Sequence, residues 1–237
     1  MRLRHCAHYF PDRSIDKMSP NKTNVLDHDD IAEAKRKSRG WDSELKLGNC
    51  ILSSSEEARR RIRACGDDWE PRTLSEIYEK GHDLSGPVVR ILADGIYDFF
   101  HWGHANQFSQ IKQLIPNSYL IVGVCRDEDT RNNKRQTVFT EEERVLTVMN
   151  CRYVDEVYKG FPYSSSFEIM RELRVDLMAH DCIPYGIGQQ TSDCYAPFKA
   201  ADRFLETQRY PGVSTTDLIN RIIERYDQYK QGKRSSA

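Results

Sequence analysis

From residue 88 onward, short apolar runs alternate with helical patterns, and this alternation constrains the fold more than any other feature of the sequence. The runs Val88–Ala93 and Tyr119–Cys125 are almost continuously apolar, as buried parallel strands are. Further strands are predicted at Tyr153–Tyr158 and Val175–Ala179, and helices at 103–114, 140–150 and 165–173. The sequence therefore predicts an α/β fold: a Rossmann-like, doubly wound parallel sheet with helices on both faces, which binds ligands at the carboxyl ends of its strands.

Residues 1–86 have a different character, because they are polar and charge-rich and show no sustained apolar period. Such a segment cannot bury much core by itself. We therefore predict a polar, partly helical or disordered N-terminal extension at 1–86 and a second domain at 87–237. Within the extension, short helices are predicted at 28–38, 55–64 and 73–81.

Charge, cysteine usage and hydropathy exclude several classes of protein. The 35 lysines and arginines nearly balance the 36 aspartates and glutamates, which disfavours nucleic acid as a partner. The seven scattered cysteines form no C-x-x-C pair and are typical of a reducing compartment. No apolar run approaches the roughly 20 residues of a transmembrane helix. We expect a soluble protein of the cytoplasm or the nucleus with no transmembrane segment.

The first predicted strand leads directly into the sequence Asp-Gly-Ile-Tyr-Asp-Phe-Phe-His-Trp-Gly-His at 94–104. A doubly wound sheet places its phosphate site at this point. If a helix begins near Gly103, its free N–H groups face a bound anion, and His101 and His104 share one face. Gly103 itself leaves room for close approach of a phosphate. An isolated His-x-Gly-His could instead be one capping and one packed histidine, but its position after a strand favours the phosphate site.

A second segment at 209–217, Arg-Tyr-Pro-Gly-Val-Ser-Thr-Thr-Asp, precedes another helical run. Hydroxyl groups of Ser214 and Thr215 and free amides therefore converge at a second helix N-terminus. Gly212 permits the tight entry to this helix. Arg209 lies immediately before the turn, so we interpret it as a phosphate ligand rather than as a surface charge.

Together these segments resemble the signatures of the cytidylyltransferases, a family of His-x-Gly-His nucleotidyltransferases. The resemblance covers about 88–229 and extends to three further segments. Asn133–Arg135 falls where the family carries a lysine that reaches the nucleotide phosphates, and Cys151–Val157 is similar to its dimer-contact segment. The sequence Ala-His-Asp-Cys-Ile-Pro-Tyr at 179–185 is similar to the choline-phosphate branch of the family. The resemblance implies that 87–237 is a cytidylyltransferase catalytic domain.

The reaction that this resemblance implies is transfer of a cytidylyl group from CTP to phosphocholine, giving CDP-choline and pyrophosphate for phosphatidylcholine synthesis. The substrate phosphate would attack the α-phosphorus directly, with Mg²⁺ accompanying CTP, and the protein would supply position and positive charge. The implied catalytic residues are His101, His104, Lys134 and Arg209. These four and a further eight residues would bind CTP: Asp94, Gly95, Ile96, Tyr97, Gly103, Gly212, Ser214 and Thr215.

For two of these residues, the sequence alone allows a role other than nucleotide binding. Lys134 could be a solvated loop lysine, since Arg131 and Arg135 are close enough in sequence to exchange roles with it. Asp94 could merely cap the turn after the first strand. The family resemblance favours the nucleotide site for both.

The predicted phosphocholine site combines aromatic residues with a carboxylate, because a quaternary ammonium group has no N–H to donate. The resemblance places Tyr163, Tyr185 and Tyr195 around the cation, with Asp181 as its charge partner. Each tyrosine taken alone is equally compatible with half-buried packing. The sequence departs from the usual family pattern at four positions: Tyr163 in place of tryptophan, Cys182, Tyr210 and Pro211.

Other substrates and other partners remain as alternatives. Phosphoethanolamine is the alternative substrate, although such enzymes usually carry two tandem units and one His-x-Gly-His occurs here. Glycerol 3-phosphate is disfavoured by Asp181, and a catalytically inactive membrane-sensing scaffold is disfavoured by the intact phosphate motifs. The resemblance implies a homodimer through Arg152-Tyr153-Val154-Asp155. The polar residues 231–237 do not encode peripheral membrane contact at the C-terminus, so we expect activity that is independent of lipid.

Overall fold

The computed structural model describes residues 50–80, 86–184 and 193–231. Within these residues, six strands form one sheet: β1 (Ile51–Leu52), β2 (Val89–Gly95), β3 (Ser118–Cys125), β4 (Glu156–Phe161), β5 (Leu177–Asp181) and β6 (Phe204–Thr207). All neighbouring strands pair in parallel, in the order β1-β4-β3-β2-β5-β6. The predicted fold class, a Rossmann-like parallel α/β sheet, is confirmed.

The helices of the described residues connect and flank these strands. They are α1 (Glu56–Arg63), α2 (Leu74–Glu79), α3 (Trp102–Leu114), α4 (Asp127–Asn133), α5 (Glu141–Met149), α6 (Phe167–Glu172), α7 (Ala196–Ala200), α8 (Thr215–Glu224) and α9 (Tyr226–Gln231). Several of these helices have a side chain that caps the N-terminus. The capping box predicted at Thr140 and Glu143 is present at α5.

Helices cover both faces of the sheet, because successive residues of a buried strand point to opposite sides. Ile91 of β2 belongs to one apolar cluster with Phe108 of α3, while the next residue, Leu92, belongs to a second cluster with Met170 of α6. All four side chains are fully buried. The two clusters fix the sheet between its helices and so fix where its strand ends lie.

The strand order creates a switch point beside β2. The chain runs from β2 to β3 and β4 on one side, then crosses to β5 and β6 on the other. In open α/β sheets, ligands bind outside the carboxyl ends of the strands at such a point. A ligand site is therefore expected at the carboxyl ends of β2 and β5.

The predicted strands and helices from residue 88 onward are present with ends shifted by up to three residues. The sequence analysis did not predict the short strands β1 and β6, nor the helices α4 and α7. Helix α4 has the sequence Asp-Glu-Asp-Thr-Arg-Asn-Asn, which has no apolar period to reveal it. Its buried residue is Thr130.

The described part of the predicted extension is attached to the sheet. Ile51 and Leu52 pair with β4, and Ile77 of α2 is buried in one of the two apolar clusters. The helices predicted at 55–64 and 73–81 are present as α1 and α2, whereas the one at 28–38 lies outside the described residues. The division of the chain at 86/87 stays a prediction.

In the described ranges, no helix is both long and apolar enough to span a bilayer.

Candidate active site

A cavity of about 230 Å³ lies at the switch point between the carboxyl ends of β2 and β5. Its walls come from the loop after β2, the start of α3, the end of α4, the end of β5 and the segment between β6 and α8. Of the predicted site residues, those that line it are Asp94, Gly95, Ile96, Tyr97, His101, Gly103, His104, Lys134, Tyr163, Asp181, Tyr195, Arg209, Ser214 and Thr215. The structure thus brings both predicted phosphate motifs to one cavity.

The two histidines of the first motif form the cap of helix α3. Nδ1 of His101 accepts a hydrogen bond from the Gly103 amide at 3.1 Å, and Nδ1 of His104 accepts from the His101 amide at 3.3 Å. Their rings stack with centroids 3.9 Å apart and planes 23° from parallel. Each ring thus satisfies a backbone donor that the helix start would otherwise leave unpaired.

These hydrogen bonds determine which ring nitrogen carries the proton. Burial, followed by His101, Arg209 and Lys134 in that order, lowers the pKa of His104 to about 3. Burial and Arg209 also lower the pKa of His101. Both rings are therefore neutral near pH 7, and because Nδ1 accepts, Nε2 must carry the hydrogen. Nε2 of His101 is buried and has no hydrogen-bond partner among the described residues. It is a donor available to a ligand.

The glycine between the histidines is required by their stacking. A Cβ atom at Gly103 would lie 2.9 Å from Nδ1 of His101 and 3.1 Å from Cγ1 of Val213. Residue 103 is thus the point where the first motif touches the segment before α8. The role in phosphate approach that the sequence analysis gave to this glycine stays a prediction, and the packing of His101 and Val213 is a further reason for glycine here.

The loop between β2 and α3 has a strained backbone. Tyr97 and Phe99 have φ angles of 57° and 48°, in the left-handed region that residues other than glycine rarely adopt. The buried ring of Tyr97 contacts His104 edge-on at a centroid distance of 5.4 Å. A Cβ atom at Gly95 would come within 2.9 Å of the same ring. Tyr97 therefore packs against the histidine pair, and its hydroxyl is buried without a hydrogen-bond partner among the described residues.

Lys134 and Arg209 supply positive charge to the cavity. Neither side chain forms an ion pair with another described residue. Desolvation by the surrounding site lowers the pKa of Lys134, and Arg135 and Arg209 lower it further, although the side chain still reaches solvent. Cations that repel each other in this way are expected to bind an anion such as a polyphosphate strongly.

The second predicted helix N-terminus is present at α8. Ser214 is its cap and accepts a hydrogen bond from the Asp217 amide at 3.1 Å. Gly212 has a φ of 73°, which explains the need for glycine in this turn. The Thr215 hydroxyl donates to the backbone oxygen of Asp98 at 2.9 Å, which joins α8 to the loop after β2.

Asp98 is the main site residue that the sequence analysis missed. Its buried carboxylate accepts hydrogen bonds from the amides of Val138 and Phe139 at 3.0 and 2.9 Å. Together with the contact from Thr215, Asp98 joins the chain segments that carry His101, Lys134 and Ser214. Its place inside the 94–104 motif was a signal, but its partners could not be read from the sequence.

Asp94, predicted to line the nucleotide site, is buried at the end of β2 and receives a hydrogen bond from the Tyr195 hydroxyl at 2.8 Å. Its other oxygen is buried and without a hydrogen-bond partner among the described residues. Burial raises the pKa of Asp94, and nearby His180 and the Tyr195 hydroxyl offset part of that effect. The carboxyl group therefore faces the cavity with one oxygen available.

The structure also brings three of the four predicted phosphocholine residues to this cavity. Tyr163 and Asp181 line it, and Asp181 accepts a hydrogen bond from the Ile183 amide at 3.1 Å. Tyr195 is buried with its ring stacked on His180 at a centroid distance of 4.6 Å. Tyr185 lies outside the described residues.

In the part of the chain that the structure describes, no group of three or more histidine, cysteine, aspartate or glutamate side chains is arranged to hold a metal ion.

Comparison with known proteins agrees with this geometry. The sequence profile of the family described as Cytidylyltransferase-like matches residues 92–221. Human choline-phosphate cytidylyltransferase A is 48% identical over 158 residues, which cover 67% of this chain and 42% of the human protein. The choline-phosphate cytidylyltransferase of Saccharomyces cerevisiae is 42% identical over 163 residues, covering 67% of this chain and 38% of that protein.

A relative with a different name is also similar. The probable ethanolamine-phosphate cytidylyltransferase of Schizosaccharomyces pombe is 42% identical over 135 residues, covering 56% of this chain and 36% of that protein. The chain spans less than half the length of each of these curated relatives.

Proposed function

We propose that this chain, which belongs to the cytidylyltransferase-like family, transfers a cytidylyl group from CTP to phosphocholine and releases CDP-choline and pyrophosphate. The observation that carries the proposal is the pair of neutral, stacked histidines at the start of α3, in a cavity that Lys134 and Arg209 also line. We place the reaction in phosphatidylcholine synthesis. We also propose a cytoplasmic or nuclear location, because every cysteine of the described residues is a free thiol.

In this reaction an oxygen of the substrate phosphate attacks the α-phosphorus of CTP, and the bond to the bridging oxygen of pyrophosphate breaks. No protein nucleophile is needed, since the attacking group is already an anion. His101 and His104 donate Nε2–H to phosphate oxygens on which charge increases, and Lys134 and Arg209 neutralise the departing pyrophosphate. The protein thus contributes orientation and charge rather than covalent chemistry.

We propose that CTP enters with Mg²⁺ bound to its phosphates. Mg²⁺ keeps several water ligands and is usually held by one or two carboxylates together with substrate phosphates. The buried, unpaired oxygen of Asp94 fits the role of such a carboxylate. When bound, the ion would add positive charge beside Lys134 and Arg209.

The choice of phosphocholine depends on the wall that contains Tyr163, Asp181 and Tyr195. A carboxylate beside aromatic rings favours a quaternary ammonium group, which cannot form hydrogen bonds. The human choline-phosphate enzyme matches this chain at higher identity and over more residues than the ethanolamine-phosphate enzyme described above, which supports the same choice. Phosphoethanolamine is the second candidate, because that relative still reaches 42% identity.

The assay that tests the proposal compares phosphocholine, phosphoethanolamine and glycerol 3-phosphate with CTP, and measures both pyrophosphate and the CDP-alcohol. We expect the highest kcat/KM with phosphocholine. A preference for phosphoethanolamine would replace the substrate but keep the chemistry. Absence of pyrophosphate release with all three, from a protein that melts cooperatively, would favour an inactive scaffold and overturn the proposal.

We further propose a homodimer formed through Arg152, Tyr153, Val154 and Asp155. Arg152 is exposed and its guanidinium lies over the ring of Tyr153, 5.6 Å from the centroid. Asp155 is already bound within its own chain, since it accepts from Lys112 at 2.5 Å and from the Leu120 amide at 2.7 Å. Sedimentation of the wild type and of Arg152→Glu would test this: we expect a dimer that the variant weakens, and a monomeric wild type would refute it.

A further inference from the structure

The backbone of Gln208, the residue before Arg209, is held by a side chain of helix α3. The side-chain amide of Gln110 donates to the Gln208 carbonyl oxygen at 2.8 Å and accepts from the Gln208 amide at 2.7 Å. One side chain thus satisfies both backbone groups of a residue that lies just beyond the end of β6. It imitates the pairing that a neighbouring strand would provide.

The residue after Arg209 is also held by α3. The rings of Tyr210 and Trp102 meet edge-to-face with centroids 4.5 Å apart, although both side chains are about half exposed. Aromatic pairs of this geometry attract each other beyond the area that they bury. Trp102 is the first residue of α3 and lies between His101 and His104 in the sequence.

These contacts place Arg209 between two residues that are fixed to the same helix. That helix also carries His101 and His104 at its start. Arg209 itself is exposed and forms no ion pair with any described residue, so the described part of the chain holds its side chain through no charged partner. A long, flexible side chain is more effective when its backbone is held in the position that the transition state requires.

We propose that Gln110, with Trp102 as a weaker second contact, is a positioning residue that holds Arg209 in register with the histidine pair. The proposal rests on the proposed function, because it assigns to Arg209 the binding of CTP phosphates. Gln110 does not touch the reacting atoms in this arrangement and acts only through Arg209. The sequence around Gln110 does not indicate this role, because its partner Gln208 is 98 residues away.

A double-mutant cycle tests the proposal. Gln110→Ala should lower kcat/KM for CTP by about tenfold, and Arg209→Ala by about 100-fold or more. In the Arg209→Ala background, Gln110→Ala should change kcat/KM by less than about twofold, because the group that it positions is gone. Trp102→Ala should lower kcat/KM by about threefold.

Gln113→Ala is the matched control, since Gln113 lies one turn further along the exposed surface of α3 and donates to Ser109 at 2.8 Å. We expect this variant to keep wild-type kinetics and to melt within a few degrees of Gln110→Ala. If Gln110→Ala lowers activity equally with and without Arg209, or behaves like Gln113→Ala, the inference is wrong while the transferase assignment stands. If the wild type releases no pyrophosphate from CTP, the proposed function itself fails.

Discussion

The two sides of the cavity are built in different ways. The phosphate side is organised by short-range backbone hydrogen bonds, in which His101 and His104 bind amides two and three residues away. The proposed phosphocholine side is assembled from side chains of separate elements, such as Tyr163 after β4 and Asp181 at the end of β5. We therefore expect the phosphate side to be preorganised for charge and the other side to set substrate choice.

The largest effect is expected from His104→Asn on the phosphate side. The asparagine oxygen can replace Nδ1 as acceptor for the His101 amide, but the Nε2–H donor is lost. We expect kcat to fall about 100- to 1000-fold, as when one donor to a developing anion is removed. Steady-state kinetics with CTP and phosphocholine would measure it.

The same experiment separates catalysis from folding. His104→Ala removes both the donor and the cap acceptor, so it should match His104→Asn in kcat but melt at a lower temperature. Near-wild-type turnover by His104→Asn would mean that the histidine serves the helix start alone.

Asp98→Asn should have the next largest effect, because it disturbs the links between the segments of the phosphate side. Asparagine offers one acceptor where the carboxylate accepts from both Val138 and Phe139, so one of the two amides loses its partner at the buried side chain of Asp98. Such a loss costs about 1–3 kcal/mol in the free energy of unfolding. We also expect kcat/KM for CTP to fall about tenfold, measured alongside urea unfolding.

Asp202→Asn provides a control for Asp98, since Asp202 also accepts from a backbone amide, that of Ser75, but lies away from the cavity. The asparagine oxygen can still accept from this amide, so the variant loses only the charge and should leave kcat/KM at the wild-type level. If Asp98→Asn leaves CTP kinetics at the wild-type level, the three segments do not depend on this residue.

Asp181→Asn should change the phosphocholine side alone. The asparagine oxygen still accepts from the Ile183 amide, so the loop is kept while the negative charge is removed. We expect KM for phosphocholine to rise about tenfold, with KM for CTP unchanged within about twofold.

The uncharged isostere 3,3-dimethylbutyl phosphate sharpens this prediction. The wild type should discriminate against it, and Asp181→Asn should handle it as the wild type does. A variant that loses activity equally on both substrates would show that Asp181 acts through shape rather than charge.

The smallest effect is expected from pH. The pKa of His104 is lowered to about 3 in the folded chain, so the unfolded chain, with a pKa near 6.5, binds the proton more readily. The contribution of the His104 ring to the free energy of unfolding is therefore fully present above about pH 6.5 and is lost as pH falls toward 3. Between pH 7.5 and 6.0 the wild type should lose about 0.8 kcal/mol more than His104→Asn in urea unfolding. Equal losses would indicate that the ring is not held neutral.

Much of the fold and half of the site follow from short stretches of sequence. The strand at Val89–Gly95 is a continuous apolar run, and the His-x-Gly-His segment after it marks a helix start that the structure confirms. Elements without an apolar period, such as α4, were missed because their place is set by neighbours rather than by their own residues.

The sequence by itself determined the alternation of the longer strands and helices from residue 88 onward and the helix start at His-x-Gly-His, because these depend on residues within one or two turns of each other. Only the tertiary structure decided which distant residues complete the site. Asp98 meets Thr215 across 117 residues, and Tyr195 meets Asp94 across 101. Such pairs arise because parallel strands bring their carboxyl ends to one edge of the sheet in an order that local patterns do not encode.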